Sequence, residues 1–330
     1  MKMIQRLAIF LLVCLAPIAN ITARAFPAER ADKLKTLRIG FASRSIQDMP
    51  FFVANERGFF REEGLQPEII LMKAIQTVQS LLSGSIDFGT ATGTAVSAAV
   101  SGADVKVVMA LTDKPAFDLI AQPSFTSVQQ LRGKKIGVSA AGSLTEIVAR
   151  QILIAHQVPP DQVTILPLGQ SHFTYTALKA RVIDAIMASI PITFIAQDEG
   201  FRKLASGGDV YRAVHGGLST TTATITNRPE LVTRVIRATL RAVRLIKNDK
   251  KVGMEFIKGP HLDLGTDRDR LADRVYQAAV QSYLLSGWVD DKVQLEMISD
   301  ASRRIKPPQP VTAERVFDFS FARKVSETLR

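Results

Sequence analysis

Four short loops, almost free of charge, carry the residues of this chain best suited to hold a small molecule. The first, Ala42 to Met49, offers Ser43, Arg44, Gln47 and Met49. The second, Thr90 to Thr94, brings Thr90, Thr92 and Thr94. The third, Ser139 to Thr145, holds Ser139, Gly142 and Ser143, and the fourth, Ala188 to Pro191, holds Ser189. Hydroxyls both donate and accept, and small residues let backbone N–H groups come close to a guest. Thr220, in the later run GGLSTTTATIT, extends the set. Arg44 is the only cation in these loops; its guanidinium suits a ligand carboxylate or sulfonate, or else points into water. Phe51, Phe52 and Phe117 suit either an aromatic guest or the core.

Catalytic patterns are missing. The four histidines, His156, His172, His215 and His261, show no HExxH spacing, and no GxSxG elbow, GxGxxG turn or P-loop occurs. His172, in the polar segment GQSHFTY, reads as a hydrogen-bonded surface residue. The residues therefore describe binding without turnover, and neither a metal nor a cofactor is expected.

The elements that position these loops occur twice. LRIGF (Leu37 to Phe41) is followed by PEIILM from Pro67 and by IDFG; KKIGV (Lys134 to Val138) is followed by VTILPL from Val163 and by IDAI. Ile39-Gly40 aligns with Ile136-Gly137, Leu81 with Leu178 and Ile86-Asp87 with Ile183-Asp184, always 97 positions apart. Each copy reads strand, helix, strand, helix, strand, which predicts parallel α/β layers whose ligands sit at the carboxyl ends of the strands. The four loops fall at those ends.

Helix signals flank the loops. Pro50 suits a first helical turn capped by Asp48 or Met49, and one helix is expected from there towards Gly64. Ser143 with Glu146 three residues later matches a capping box. Capping alone is therefore an alternative role for these residues. Beyond the second copy, Gly216 to Thr226 reads as a return strand. Pro229 opens a long helix with Val232, Val235, Ile236, Leu240, Val243 and Ile246 on one face and Arg234, Arg237, Arg241 and Arg244 on another, the basic stripe reading as a solvated face. Two further helices, near Asp267 to Ser286 and Asp290 to Arg303, precede an extended Pro307-Pro308-Gln309-Pro310 connector and a short terminal helix.

Residues 1–25 carry Lys2 and Arg6, the apolar run Leu7 to Ala16 and the small-x-small site Ala23-Arg24-Ala25, the pattern of a cleaved secretory signal. Cys14, the only cysteine, lies inside it, and Val13 before it is too large for a lipoprotein site. The exported chain then has no thiol for a disulfide, and loss of Lys2, Arg6 and Arg24 takes the net charge from +11 to +8. Export turns this basic surface away from nucleic acid and towards an anionic membrane surface.

With these segments in place, the chain resembles the ABC-transporter substrate-binding proteins of the nitrate, sulfonate and bicarbonate group, including SsuA/TauA-like and NMT1/THI5-like members. ANERGFFREEGLQPEI from Ala54, LLSGSIDFG from Leu81, LRGKKIGV from Leu131 with Gly142-Ser143, RVIDAIMAS from Arg181 and VFDFSFARKV from Val316 carry the resemblance. It implies an α/β periplasmic binding protein type 2 fold, two lobes joined by two hinge crossovers, with residues 31–118 and 218–330 in lobe one and 119–217 in lobe two. It implies a periplasmic protein that closes on a small-molecule ligand of the sulfonate, nitrate, carboxylate or pyrimidine class and delivers it to ABC permease membrane subunits; a monomer is the default expectation, with a weak dimer the alternative. Two departures stand out. Asp184-Ala185 is followed by Ile186, Met187, Ala188 and Ser189 where relatives often place an aromatic residue, so the pocket wall differs. The cysteine-rich iron motif of the pyrimidine-synthesising relatives is absent, which disfavours an enzyme. A thiamine-pyrimidine-related enzyme and a ligand-presenting sensor remain the alternatives.

Overall fold

The computed structural model describes residues 34–42, 44–262, 264 and 268–329. The signal sequence and Ser43 lie outside the described residues.

Ten strands form two five-stranded sheets. They are β1 (Lys35–Phe41), β2 (Leu65–Leu71), β3 (Phe88–Gly89), β4 (Lys106–Ala110), β5 (Phe117–Ala121), β6 (Lys135–Val138), β7 (Thr164–Pro167), β8 (Ala185–Ser189), β9 (Arg202–Ser206) and β10 (Gly217–Thr220). The first sheet runs β2-β1-β3-β10-β4 and the second β7-β6-β8-β5-β9. In each sheet the first three strands are parallel, and the inserted strand, β10 or β5, is antiparallel to its neighbours. Consecutive parallel strands need helical crossovers, and the sequence supplies a helix after each.

The duplication is written into the hydrogen bonds. Ile39 lies opposite Phe88, and Ile136 opposite Ala185, the same positions 97 residues on. The Arg38 N–H donates to the Asp87 carboxylate at 2.9 Å, and the Lys135 N–H to the Asp184 carboxylate at 2.9 Å. Each aspartate thus fixes the register of the strand pair beside it. Gly40 and Gly137 are the matching close approaches: a Cβ on either would come within 2.8 Å of Ile86 or Ile183.

The chain leaves the first sheet after β4, enters the second at Phe117 and returns at Gly217. The two connecting segments are tied together. Thr112 accepts the His215 N–H at 3.1 Å through its carbonyl and donates its hydroxyl to the His215 carbonyl at 2.8 Å. At the return, Gly217 adopts φ +141°, and a Cβ there would meet the Met109 carbonyl oxygen at 2.0 Å, so only glycine fits.

Three expectations change. The helix from Met49 stops at Glu56, because Gly58 takes the left-handed φ of 75° and a separate turn, Phe59–Glu62, follows. The return strand is only Gly217–Thr220, after which Thr221 caps the helix Thr222–Asn227 by accepting the Thr224 N–H. The Pro229–Asn248 helix forms as predicted, with Val232, Val235, Ile236, Leu240, Val243 and Ile246 fully buried. Its arginine stripe, however, is not a solvated face. Arg237 pairs with Glu63 at 2.8 Å, Arg241 pairs with Glu62 at 2.6 Å and covers the Phe59 ring, and Gly64 lies against Arg234. The ERGFFREEG segment thus half-shelters Arg237 and Arg241 through Glu63 and Glu62, while Arg234 stays exposed.

Candidate functional site

The strand ends bring the predicted loops together. Gln170, at the start of the helix Ser171–Lys179 that follows β7, donates its side-chain N–H to the Ala42 carbonyl beyond β1 at 2.7 Å. At the start of the Thr92–Val100 helix, the Thr92 hydroxyl donates to the Val214 carbonyl at 3.3 Å, and a Cβ on Gly93 would lie 3.0 Å from the Leu144 Cβ. The Ser97 hydroxyl reaches the Gly142 carbonyl at 3.4 Å. The loops after β1 and β3 therefore meet those after β6 and β7, and this seam is the candidate cleft.

From the second sheet, Ser139, Ser143 and Thr145 form a triangle of hydroxyls, with oxygens 2.8 to 3.0 Å apart. Ser143 also donates to the Ala140 carbonyl at 2.6 Å. That engagement corrects the capping-box expectation: Ser143 is the N-cap of the Leu144–Ala155 helix, but its hydroxyl makes no capping bond. Glu146 instead accepts the Gly142 N–H at 2.6 Å and pairs with Arg150 at 2.7 Å. Burial pushes the Glu146 pKa up, but the Gly142 N–H and Arg150 outweigh it and hold the carboxyl below its usual value. Ser189 shares a hydrogen with Ser171 at 3.0 Å.

From the first sheet, Thr90 is buried and its hydroxyl accepts the Ala42 N–H at 3.3 Å. Thr94 is half-buried and Arg44 is exposed at the rim. Gln47 is the exception to this pattern of satisfied groups. It is 2% exposed, and among the described residues neither its carboxamide oxygen nor its nitrogen has a hydrogen-bond partner. Leaving such a buried group unmade costs about 1–3 kcal/mol. Its loop is anchored from below, where the buried Tyr283 hydroxyl donates to the Ile46 carbonyl. Burial first, and the nearby Asp48 carboxylate second, keep that phenol protonated.

His215 completes the hinge side of the cleft. Its ring lies 4.2 Å from that of Phe117, which faces Ser189 across the β5–β8 ladder. Its Nδ1 accepts the Ala116 N–H at 3.1 Å, and burial pulls its pKa down to about 3, so the ring is neutral with its hydrogen on Nε2.

Two predicted residues do not join the cleft. Thr220 sits at the far end of the first sheet, donating its hydroxyl to the Asp87 carbonyl at 2.7 Å, because β10 runs antiparallel and carries its last residue away from the loops. Met49 is fully buried in the core with Phe51 and Phe60. Phe52 stacks among Phe41, Phe256 and His261. Sequence reasoning missed Thr145, Ser171 and His215. Thr145 was within reach as the last hydroxyl of the third loop, whereas His215 is brought in only by the return crossover. Among the described residues no group of three or more His, Cys, Asp or Glu is placed to hold a metal.

The profile of the NMT1/THI5 like family matches residues 45–251. The riboflavin-binding protein RibY of Chloroflexus aurantiacus is 27% identical over 211 residues, 60% of this chain and 58% of RibY. The match thus spans less than two thirds of that relative. Among solved structures, the periplasmic nitrate-binding protein NrtA of Synechocystis superposes with a TM-score of 0.74 at 12% identity, over 90% of both chains. The alkanesulfonate-binding protein SsuA of Xanthomonas axonopodis, bound to MOPS, gives 0.68 at 18% identity, over 86% of this chain and 98% of SsuA. The desulfurization enzyme DSZB gives 0.59 at 15% identity, over 89% of this chain and all of DSZB. At these identities the structures share the fold.

Proposed function

Starting from a chain that belongs to the NMT1/THI5-like family, we propose that it is the periplasmic solute-binding component of an ABC importer, closing two lobes on one small solute. The lobes are residues 31–118 with 218–330, and 119–217. Gln47, Thr90, Thr92 and Thr94 with Arg44 at the rim form one wall; Ser139, Gly142, Ser143 and Ser189 form the other. The observation that carries this reading is the convergence of strand-end loops from both sheets on one cleft, sealed by the Gln170 to Ala42 hydrogen bond. A ligand that touches both walls only when they meet shifts the population towards the closed form.

The fold shared with DSZB makes an enzyme the second reading. His215 argues against it, since its Nδ1 is engaged and its low pKa makes it a poor base. A thermal-shift screen of the purified protein against sulfonates, nitrate, bicarbonate, aromatic carboxylates, pyrimidines and flavins tests the proposal. A solute at about 100 times its Kd adds about 2.7 kcal/mol and moves the Tm by several degrees. Stabilisation by one class with the solute recovered unchanged supports transport; chemical conversion of the solute overturns it.

A further inference from the structure

We infer that Asp198 is a positioning residue for closure: held by Arg270 and Arg274 of the other lobe, it ties the two lobes together and sets how tightly any solute is bound without choosing which. The inference rests on the solute-binding reading above and concerns the regulation of that same site.

Asp198 ends the helix Ile192–Asp198, which follows β8 and packs on β5, β8 and β9 of the second sheet. Its partners stand on the helix Arg268–Ser282, whose Leu271, Val275 and Ala279 are buried in the core that covers β1 and β3 of the first sheet. Arg274 donates to both carboxylate oxygens, at 2.9 and 3.0 Å, and Arg270 donates to one of them. The Asp198 side chain is only 22% exposed, so the two arginines take the place of most of its water. The Arg274 guanidinium also lies 4.4 Å from the centre of the Phe194 ring. Ile190, Phe194 and Asp198 are spaced four apart, one stripe of this helix and its lead-in. Ile190 is buried in that same first-sheet core, and Phe194 packs against it. An apolar side chain, a ring and a carboxylate thus dock in line on the other lobe.

At the loops, by contrast, single hydrogen bonds between uncharged groups join the lobes, Gln170 to Ala42 and Ser97 to Gly142. Charge-assisted bonds are roughly twice as strong, and here one carboxylate takes three. An ion pair within one lobe would stabilise open and closed forms alike; one that spans the lobes stabilises only the closed form. The apparent Kd of a solute is its intrinsic Kd divided by the closed fraction, so such a tie tightens every solute by one common factor. The helix starts directly after the Ser189 loop, and through it the tie holds a wall of the cleft in place.

Double electron–electron resonance on the purified protein, with no solute added, tests this. Cys14→Ser removes the sole native thiol, and nitroxide labels go on Ile75→Cys and Phe173→Cys, exposed positions in the first turns of the helices Ala74–Leu82 and Ser171–Lys179 on opposite lobes. Asp198→Asn and Arg274→Gln should each lower the ratio of short to long label distances by about threefold or more, and Arg270→Gln by less, since one arginine remains. Asp198→Glu, which keeps the charge, should recover part of the short distance. Raising the salt to about 1 M, where the Debye length is about 3 Å, should open the wild type and leave Asp198→Asn where it was; this arm needs no variant and so covers one that does not fold. An unchanged distance in every variant and at both salt concentrations overturns the inference, because the arginines then brace a fixed joint. A salt response that persists undiminished in Asp198→Asn overturns it as well. No solute enters the measurement, so its failure leaves the solute-binding reading standing, and the thermal-shift screen judges that reading separately.

Discussion

In the first copy of the duplicated unit the Arg38 N–H meets Asp87; in the second, 97 residues on, the Lys135 N–H meets Asp184 at the same distance. Beyond the strands the copies part. After β1 the loop buries a carboxamide with no partner, whereas after β6 the hydroxyls of Ser139, Ser143 and Thr145 close on themselves. One wall arrives with its hydrogen bonds made, and the other arrives with two missing. The duplicated scaffold thus keeps one strand register while its two loops meet their hydrogen-bonding needs differently.

The largest expected effect tests whether the shared register hides different cores. Gly89 and Ile186 occupy equivalent positions, paired with Gly40 and Gly137 respectively. Ile186 is fully buried among Ile120, Leu178 and Ile183, so Ile186→Ala should cost about 2–5 kcal/mol in urea denaturation. Gly89→Ala should cost about 1–3 kcal/mol for the opposite reason, because its Cβ would lie 2.3 Å from the Thr77 Cγ2. A tolerated Gly89→Ala would mean that the two sheets pack alike after all.

Acid should act on the hinge that neither copy owns. His215 has a folded pKa of about 3 against an ordinary 6.5, so only the unfolded chain takes up its proton between those values. The stability it contributes is complete above pH 6.5 and drains away as pH falls towards 3, by at most about 1.4 kcal/mol per pH unit. The wild type should therefore show a steeper loss below pH 6.5 than His215→Asn, as read from urea midpoints at a series of pH values.

The acidic pair Glu62-Glu63 has Pro159-Pro160 as its counterpart in the second copy. Arg237→Ala leaves Glu63, whose side chain is only 12% exposed, without its partner. This should cost about 1–2 kcal/mol, and restoring a cation with Arg237→Lys should recover part of it. The smallest effects come from the turn before the last strand of each copy, where Gly84 (φ 74°) corresponds to Arg181 (φ 56°). Gly84→Ala should destabilise by about 1 kcal/mol and Arg181→Gly should stabilise by about 0.5–1 kcal/mol, seen as opposite shifts of Tm.

The three parallel strands of each sheet were legible because the apolar β-branched runs repeat at a fixed offset, whereas β4, β5 and β9, which lie outside the repeat, were not. Residues whose role depends on distant partners were not. The S-x-x-E pattern at Ser143 promised a capping box, but Ser139 and Thr145 capture the hydroxyl first. The arginine stripe looked solvated because Glu62 and Glu63 lie far upstream. Gln47 was visible as a loop residue, but its isolation depends on the return crossover at Gly216. Thr220 looked like its neighbours in composition, yet strand direction carries it to the opposite end of the sheet.

The ERGFFREEG segment shelters the arginines of the long helix, and it does so at a distance from the cleft. What this stretch encodes is a scaffold joint, indifferent to the guest. A search keyed to it therefore reports architecture and says nothing of what a protein carries.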